Sequence, residues 1–443
     1  MSGQLSALHG RFTHHFVSKT RNVIAVSKRY LCGLFQADKK NMERMAEKVP
    51  EVDDQELQHF VTHSPWSHRG VLGQVALDAD RIVGGDEDSG LFIDESGFEK
   101  KGRDSAGVAR QWNGRRGKVD NCQVGVFAAL ARGTDVTLVD CELYLPLEWT
   151  QDAERCEKAG IPQEERGFRS KAQRALGMVL RARGLGLRFG YVGLDGGYGK
   201  EPWLLRSLDD EGEVFLADIH RDQMIYLEDP RPAVPERRSR RGRAPSRPVA
   251  QSEGIRVDQW AVGEGPEKWS RVTLREGTKG DLTVEVLHRQ VWLWDGQEAQ
   301  ARKWRLLVRR ELGAQQEIKY ALSNAPAQTS TERVAQMQAQ RYWIEHALRN
   351  GKSEAGMADY QVRKWQSWHH HMAMVILGML FMLEVRVENR EAIPLLSCHD
   401  VVEVLKVVLP RRDATYEEIF RQVVERHRRR LAAIESAKRR KRE

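Results

Sequence analysis

Three acidic residues stand where a chain could use them for phosphoryl chemistry. Asp94 closes the apolar run Gly90-Leu91-Phe92-Ile93, and Asp195 closes Phe189-Gly190-Tyr191-Val192-Gly193-Leu194. Glu345 lies in a helix-like stretch, with Arg341 one turn before it and Lys352 two turns after. Hard cations such as Mg²⁺ take oxygen ligands. Two of them held together can activate an attacking oxygen and stabilise a leaving one. The acids are far apart in sequence, so only a fold that ends strands side by side could gather them.

The surrounding pattern supplies such elements. Leu91-Phe92-Ile93, Val124 to Leu130 and Val136 to Leu145 read as strands separated by Gly-rich turns. Apolar residues at helical spacing predict a helix over Arg169 to Arg183. The strand at Tyr191, a short helix near Trp203 to Leu208 and the strand Val214-Phe215-Leu216-Ala217 follow. Residues 255 to 323 read as all-β, from alternation in Arg271 to Arg275, Thr283 to Leu287 and Lys303 to Val308. Residues 331 to 385 return to helix, and 415 to 443 end as a basic helix. Residues 1 to 88 read as helical and polar, with Asp54 as the expected cap of a helix over Gln55 to His63.

Several segments resemble one family. They are Phe92-Ile93-Asp94-Glu95-Ser96-Gly97-Phe98, Lys100-Lys101-Gly102, Ser105 to Trp112, Gly114, Gly117-Lys118 and Asn121-Cys122-Gln123-Val124. Leu194-Asp195-Gly196-Gly197-Tyr198-Gly199 and Asp359 to Trp365 belong to the same pattern. Together they resemble the bacterial insertion-sequence transposases of the DDE type. Arg341, Glu345 and Lys352 fit the spacing of that family's helical Tyr, Arg, Glu, Lys signature, but Gln338 stands at the Tyr position. The resemblance spans roughly residues 25 to 385.

The resemblance implies a multidomain α+β chain. Its centre would be an RNase H-like mixed-sheet core with helices, interrupted by a β-rich insertion and flanked by helical N- and C-terminal regions. The expected divisions are 1–88, a DNA-binding region; 89–220, the first part of the core; 221–325, a basic loop and the β-rich insertion; 326–385, the helical part carrying the third acid; and 386–443, a basic helical C-terminal region. Asp94, Asp195 and Glu345 would be the catalytic metal ligands. Two Mg²⁺ per site are implied, with Mn²⁺ as a substitute. Water would attack the phosphodiester at the element's end, and the freed 3′-OH would then attack target DNA. The implied partners are double-stranded DNA, as terminal inverted repeats and as target, and a second copy of the chain. Two alternatives stay open: a structure-specific RNase H-like nuclease, and a domesticated DNA-binding protein that no longer cuts.

Other residues carry competing readings. Alternation places Glu95 across its strand from Asp94, and Asp140 lacks a matching motif. Glu354 lies off the face that offsets of −4 and +7 give Arg341, Glu345 and Lys352 on a single helix. Arg341 and Lys352 are candidate phosphate contacts. So are Arg237, Arg238, Arg240, Arg241 and Arg243, in a proline-rich stretch that reads as a basic loop or a solvated linker. Trp292, Trp294 and Trp304 could stack on an unpaired base, although filling a small β core is the favoured reading. His369, His370 and His371 point in different directions on a helix, which argues for packing or DNA contact and against one shared metal.

Composition fits this picture without deciding it. The net charge of +8 suits an anionic partner. Five scattered cysteines suggest a reducing compartment and no disulfide frame. The apolar run Met372 to Leu383 is shorter than the ~20 residues of a membrane span, so a buried helix is expected. No membrane association is expected, and the implied location is the bacterial cytoplasm, on the nucleoid.

Overall fold

The structure is a computed structural model that describes all residues except 115, 237–244, 276–279, 314–316, 414 and 441–443, with the side chain of residue 440 also left aside. The chain forms two compact units. One comprises residues 1–68, 350–362 and 366–443; the other comprises 69–349 and 363–365.

The second unit is built on a ten-stranded sheet. Its strands are β1 (Gly90–Glu99), β2 (Ala109–Asn113), β3 (Lys118–Arg132), β4 (Asp135–Leu143), β5 (Tyr191–Leu194), β6 (Phe215–Ile219), β7 (Ser270–Arg275), β8 (Leu282–Leu293), β9 (Arg302–Glu311) and β10 (Ile318–Ser323). The spatial order is β7-β8-β9-β10-β6-β5-β1-β3-β2, with β4 also on β3. Within it, β4, β3 and β1 are antiparallel neighbours, and β5 and β6 continue parallel to β1. This is the RNase H-like arrangement. Strands covered on both faces read as unbroken apolar runs. Accordingly, Leu91, Phe92, Ile93, Val192 and Leu194 are all buried.

The β-rich insertion continues the core sheet. β10 pairs antiparallel with β6, placing Leu322 opposite Ala217, and β9, β8 and β7 follow as a meander. The all-β reading of 255–323 needs correction, because Val257–Gly263 is a helix that buries Trp260 and Ala261. It is too short for its apolar spacing to stand out from a strand. β2 carries no apolar run that would mark it as a strand; it folds back onto β3 through a turn at Gly117, whose φ is +60°. The proline-rich stretch is closed at its base, where Ala233 and Val249 exchange both backbone hydrogen bonds (3.0 and 3.1 Å). Arg237, Arg238, Arg240, Arg241 and Arg243 lie outside the described residues.

The helix Lys171–Gly184 starts at a capping box between Ser170 and Gln173. An ion-pair network joins it to β4. Arg174 Nη1 meets Glu142 Oε2 at 2.7 Å, and Arg181 Nη2 meets Glu142 Oε1 and Asp140 Oδ2 at 2.7 Å. Arg69 Nη1 adds a contact to Asp140 at 2.6 Å. Burial pushes the Glu142 carboxyl up, but Arg181, Arg174 and Arg69 prevail and hold it low. Asp140, a candidate acid by type, is thus structural.

The first unit is helical. Its helices include Ser2–Phe12, Ile24–Gln36, Asp54–Thr62, Cys398–Val408 and Tyr416–Arg440. The cap of Asp54–Thr62 is Asp53, not Asp54. Its side chain accepts from the Glu56 amide at 2.8 Å, and Glu56 returns the bond to the Asp53 amide. The box needs its Glu three residues on, and only Asp53 has one there. The helix Trp365–Glu388 has the length and apolar content of a membrane span, but most of its residues are buried within the protein. It is apolar nearly all round, as buried helices are. His369, His370 and His371 are all buried in it. The two ring nitrogens of His370 face the carbonyls of Val61 (3.0 Å) and Trp66 (2.8 Å), and His371 Nδ1 meets the Tyr30 hydroxyl at 2.8 Å. These contacts are packing contacts.

Glu142→Gln tests the network. It leaves the buried Arg174 guanidinium without its counter-charge, a loss of about 3–5 kcal/mol. Urea denaturation of the variant beside wild type is expected to show a lowered midpoint, with the unfolding free energy reduced by that amount.

Candidate functional site

Strand register builds the centre of the site. β1 and β5 run parallel with Ile93 opposite Leu194, so Asp94, inside β1, and Asp195, the residue after β5, lie at the same level. β5 and β6 run parallel with Leu194 opposite Ala217, so the next residues are Asp195 and Asp218. Three aspartates therefore stand in a row across three adjacent strands. The apolar run Val214 to Ala217 predicts a strand that stops short of Asp218, whereas the strand continues through Ile219 and includes it. Its signal was the one already used for Asp94 and Asp195: an apolar run closed by Asp.

Local chemistry fixes each of them. Asp94 Oδ1 accepts from the amide of Glu95 at 2.7 Å. Asp195 Oδ1 accepts from the amides of Gly197 (2.9 Å) and Tyr198 (3.1 Å), capping the turn Gly196–Gly199. That turn presses on β6: a Cβ at Gly199 would lie 1.9 Å from the Asp218 carbonyl oxygen, so only glycine fits.

The third acid arrives on a helix with a joint. The structure replaces the single helix face with two helices, Thr331–Gln340 and Tyr342–Ser353. Arg341 is the residue between them, at φ −57° and ψ −27°. Its guanidinium faces carboxylates. Nε donates to Asp218 Oδ2 at 3.0 Å, and Nη2 meets Glu345 Oε1 at 3.0 Å. Gln338, at the position where the resembled signature has Tyr, donates to Asp218 Oδ1 at 2.8 Å. Glu345 is the outermost member, with its side chain 45% exposed. Lys352 lies seven residues along the same helix and belongs to the other compact unit.

Electrostatics ties these groups together. Burial, and then the nearby Asp195 charge, push the Asp94 carboxyl up to about 7; Arg341 opposes this and Glu345 adds to it. Asp195 is also raised, chiefly by burial, with Arg341 and the amides of Tyr198 and Gly197 opposing. For Arg341, burial alone would weaken the charged form, but Asp218, Glu345, Asp94 and Asp195 raise its pKa above the ordinary guanidinium value. Glu95 is paired with Lys171 (2.7 Å) yet still adds to the rise at Asp195, so alternation does not remove it from the neighbourhood.

These donors suit a hard divalent cation. They are all oxygens, and burial, with the charge of the neighbouring acids added to it, drives Asp94 towards its neutral form, a load that a cation would relieve. Among the described residues, no three His, Cys, Asp or Glu are close enough to enclose an ion. The charge of Arg341 lies among the acids instead.

A cavity of about 650 Å³ opens beside Glu345, lined by Asp218, Arg275, Arg309, Lys319, Arg341 and Tyr342 among others. The Arg275 guanidinium lies 5.4 Å from the Tyr342 ring and 5.5 Å from that of Trp343. The candidate tryptophans are elsewhere. Trp304 is buried edge-on against Phe215, with ring centroids 5.0 Å apart. Trp292 is half-buried and backbone-paired with Tyr226. Trp294 lies past the end of β8 and donates to the Glu298 carbonyl at 2.9 Å. Trp292 and Trp294 therefore do not share a strand face.

Comparison with known proteins places this geometry. Residues 11–281 match a family described as DDE superfamily endonuclease. The chain belongs to this family. The matched span includes Asp94, Asp195 and Asp218 and ends before Glu345. The chain is also 25% identical over 327 residues to a protein described as a probable transposase for insertion sequence element IS701, from Microchaete diplosiphon; the alignment covers 73% of each.

Gly199→Ala tests how tightly this member of the family holds the turn beside Asp195. The added methyl must displace the β6 backbone, an overpacking cost of about 1–3 kcal/mol. Thermal melting is expected to fall accordingly, and an unchanged melt would show that the turn can yield.

Proposed function

We propose that the chain is a transposase that cuts DNA at the ends of a mobile element and joins those ends to target DNA. The observation that carries this reading is the level placement of Asp94 and Asp195 on parallel β1 and β5, with Glu345 linked to them through Arg341. Family membership and the similarity to a probable transposase support it.

In this reading Asp94, Asp195 and Glu345 would hold two Mg²⁺, for which Mn²⁺ would substitute. Those cations supply activation of the attacking oxygen and stabilisation of the leaving one. The sheet contributes rigidity, since Asp94 sits within β1 and Asp195 directly follows β5, held there by the turn it caps. The cations lining the neighbouring cavity, among them Arg275 and Lys319, hold the phosphate backbone. Lys352, the arginines 237, 238, 240, 241 and 243 and the helical region 1–88 are further candidate DNA contacts. The favoured role of the three tryptophans is structural. A DNA substrate of this kind puts the protein in the bacterial cytoplasm, on the nucleoid.

Pairing of two chains has its own support. The helix Tyr416–Arg440 carries Tyr416, Ile419, Phe420, Val424, Leu431 and Ile434 within one stripe at 100° per residue. Phe420 is 57% exposed and Leu431 62%. Such a stripe suits a second copy of the same helix.

Two experiments test the proposal. Asp94→Asn, Asp195→Asn and Glu345→Gln are each expected to reduce cleavage of element-end DNA to background while the mobility shift of that DNA persists. A variant that still cuts like wild type loses its assigned role. The double substitution Phe420→Asp with Leu431→Asp is expected to convert dimer to monomer by light scattering; a persistent dimer would place the interface elsewhere.

A further inference from the structure

Asp218 has no role in the proposal above, yet it stands in the row of aspartates and holds a guanidinium that reaches Glu345. Its two oxygens are both used, Oδ1 by Gln338 and Oδ2 by Arg341 Nε. Arg341 is thus bridged between Asp218 on one edge and Glu345 on the other. The Asp218–Arg341 contact is the more enclosed, with side-chain exposures of 17% and 16%. Glu345, at 45%, is the partner open to exchange.

We infer that Asp218 is a positioning residue for cation binding: it keeps Arg341 anchored so that Glu345 can be released to a divalent cation. A cation that takes Glu345 must displace the Nη2 contact of Arg341. With Asp218 in place, the guanidinium gives up one carboxylate and keeps another, hydrogen-bonded and largely buried. Without the charge at Asp218, release of Glu345 would leave a buried guanidinium with poorer compensation. The Arg341–Glu345 pair would then compete harder against the cation. Gln338 supports the device by fixing the second oxygen of Asp218. This inference rests on the metal-binding reading of Asp94, Asp195 and Glu345.

The test is Mn²⁺ binding to the full-length, DNA-free protein, followed by electron paramagnetic resonance of the free ion, with cleavage measured in parallel across Mg²⁺ concentrations. Asp218→Asn is expected to raise the Mn²⁺ half-saturation roughly 10-fold, the size of one charge-assisted hydrogen bond. Cleavage should recover at high Mg²⁺. In an Arg341→Gln background the same substitution should be silent. Gln338→Ala, which keeps every charge, should shift binding in the same direction by less, and it carries the test if Asp218→Asn fails to fold by circular dichroism. Unchanged or tighter Mn²⁺ binding in Asp218→Asn would overturn the inference while leaving the metal reading intact. So would a loss that persists in the Arg341→Gln background, since Asp218 would then act on the cation directly. A wild-type protein that binds no Mn²⁺ would overturn the metal reading itself, and this inference with it.

Discussion

Everything around the site depends on crowding four carboxylates about one guanidinium. Like charges a few ångströms apart in a poorly solvated place oppose each other strongly, and a buried acid answers by holding its proton. Asp94 shifts in that direction, its carboxyl pushed up to about 7 by burial first and by the Asp195 charge second. What keeps the cluster from forcing the fold apart is Arg341, whose charge is stabilised by Asp218, Glu345, Asp94 and Asp195 in turn. The chain spends its buried cation at the place where a divalent ion would later be worth most.

The sheet acts as a ruler for this arrangement. Parallel neighbours in fixed register deliver side chains at one level, and shifting a strand by one residue would turn its acid to the opposite face. Register is fixed here by bulk as well as hydrogen bonds. The Phe92 ring lies against Gly193, where a Cβ would meet Cδ1 at 2.4 Å. A larger residue there would push β1 and β5 out of step. The helix bearing Glu345 needs no such accuracy, because its acid reaches inward through an ion pair that can adjust.

The core strands and the first two acids are legible because each strand is a short apolar run and each acid interrupts one. Asp218 obeys the same rule. What the sequence lacks is any local sign that its partners, Gln338 and Arg341, come from more than a hundred residues away. The joint at Arg341 is hidden for a different reason: its dihedral angles remain helical, so the apolar periodicity reads straight through. Asp53 and Asp54 are equal as helix caps until Glu56 is counted. Trp304 could be placed only in three dimensions, since an indole on a strand looks the same whether it meets Phe215 or a base.

The union of β6 with β10 has a consequence for how the protein is made. Ile219 finds its partner at Tyr320, about a hundred residues later. During synthesis β6 can add to β5 early, yet its outer edge stays open until the whole insertion has left the ribosome. An open edge is a template for the wrong strand, and pairings between distant segments form slowly. The interval between β6 and β10 is therefore when a nascent chain is most exposed to mispairing with its neighbours on the same message.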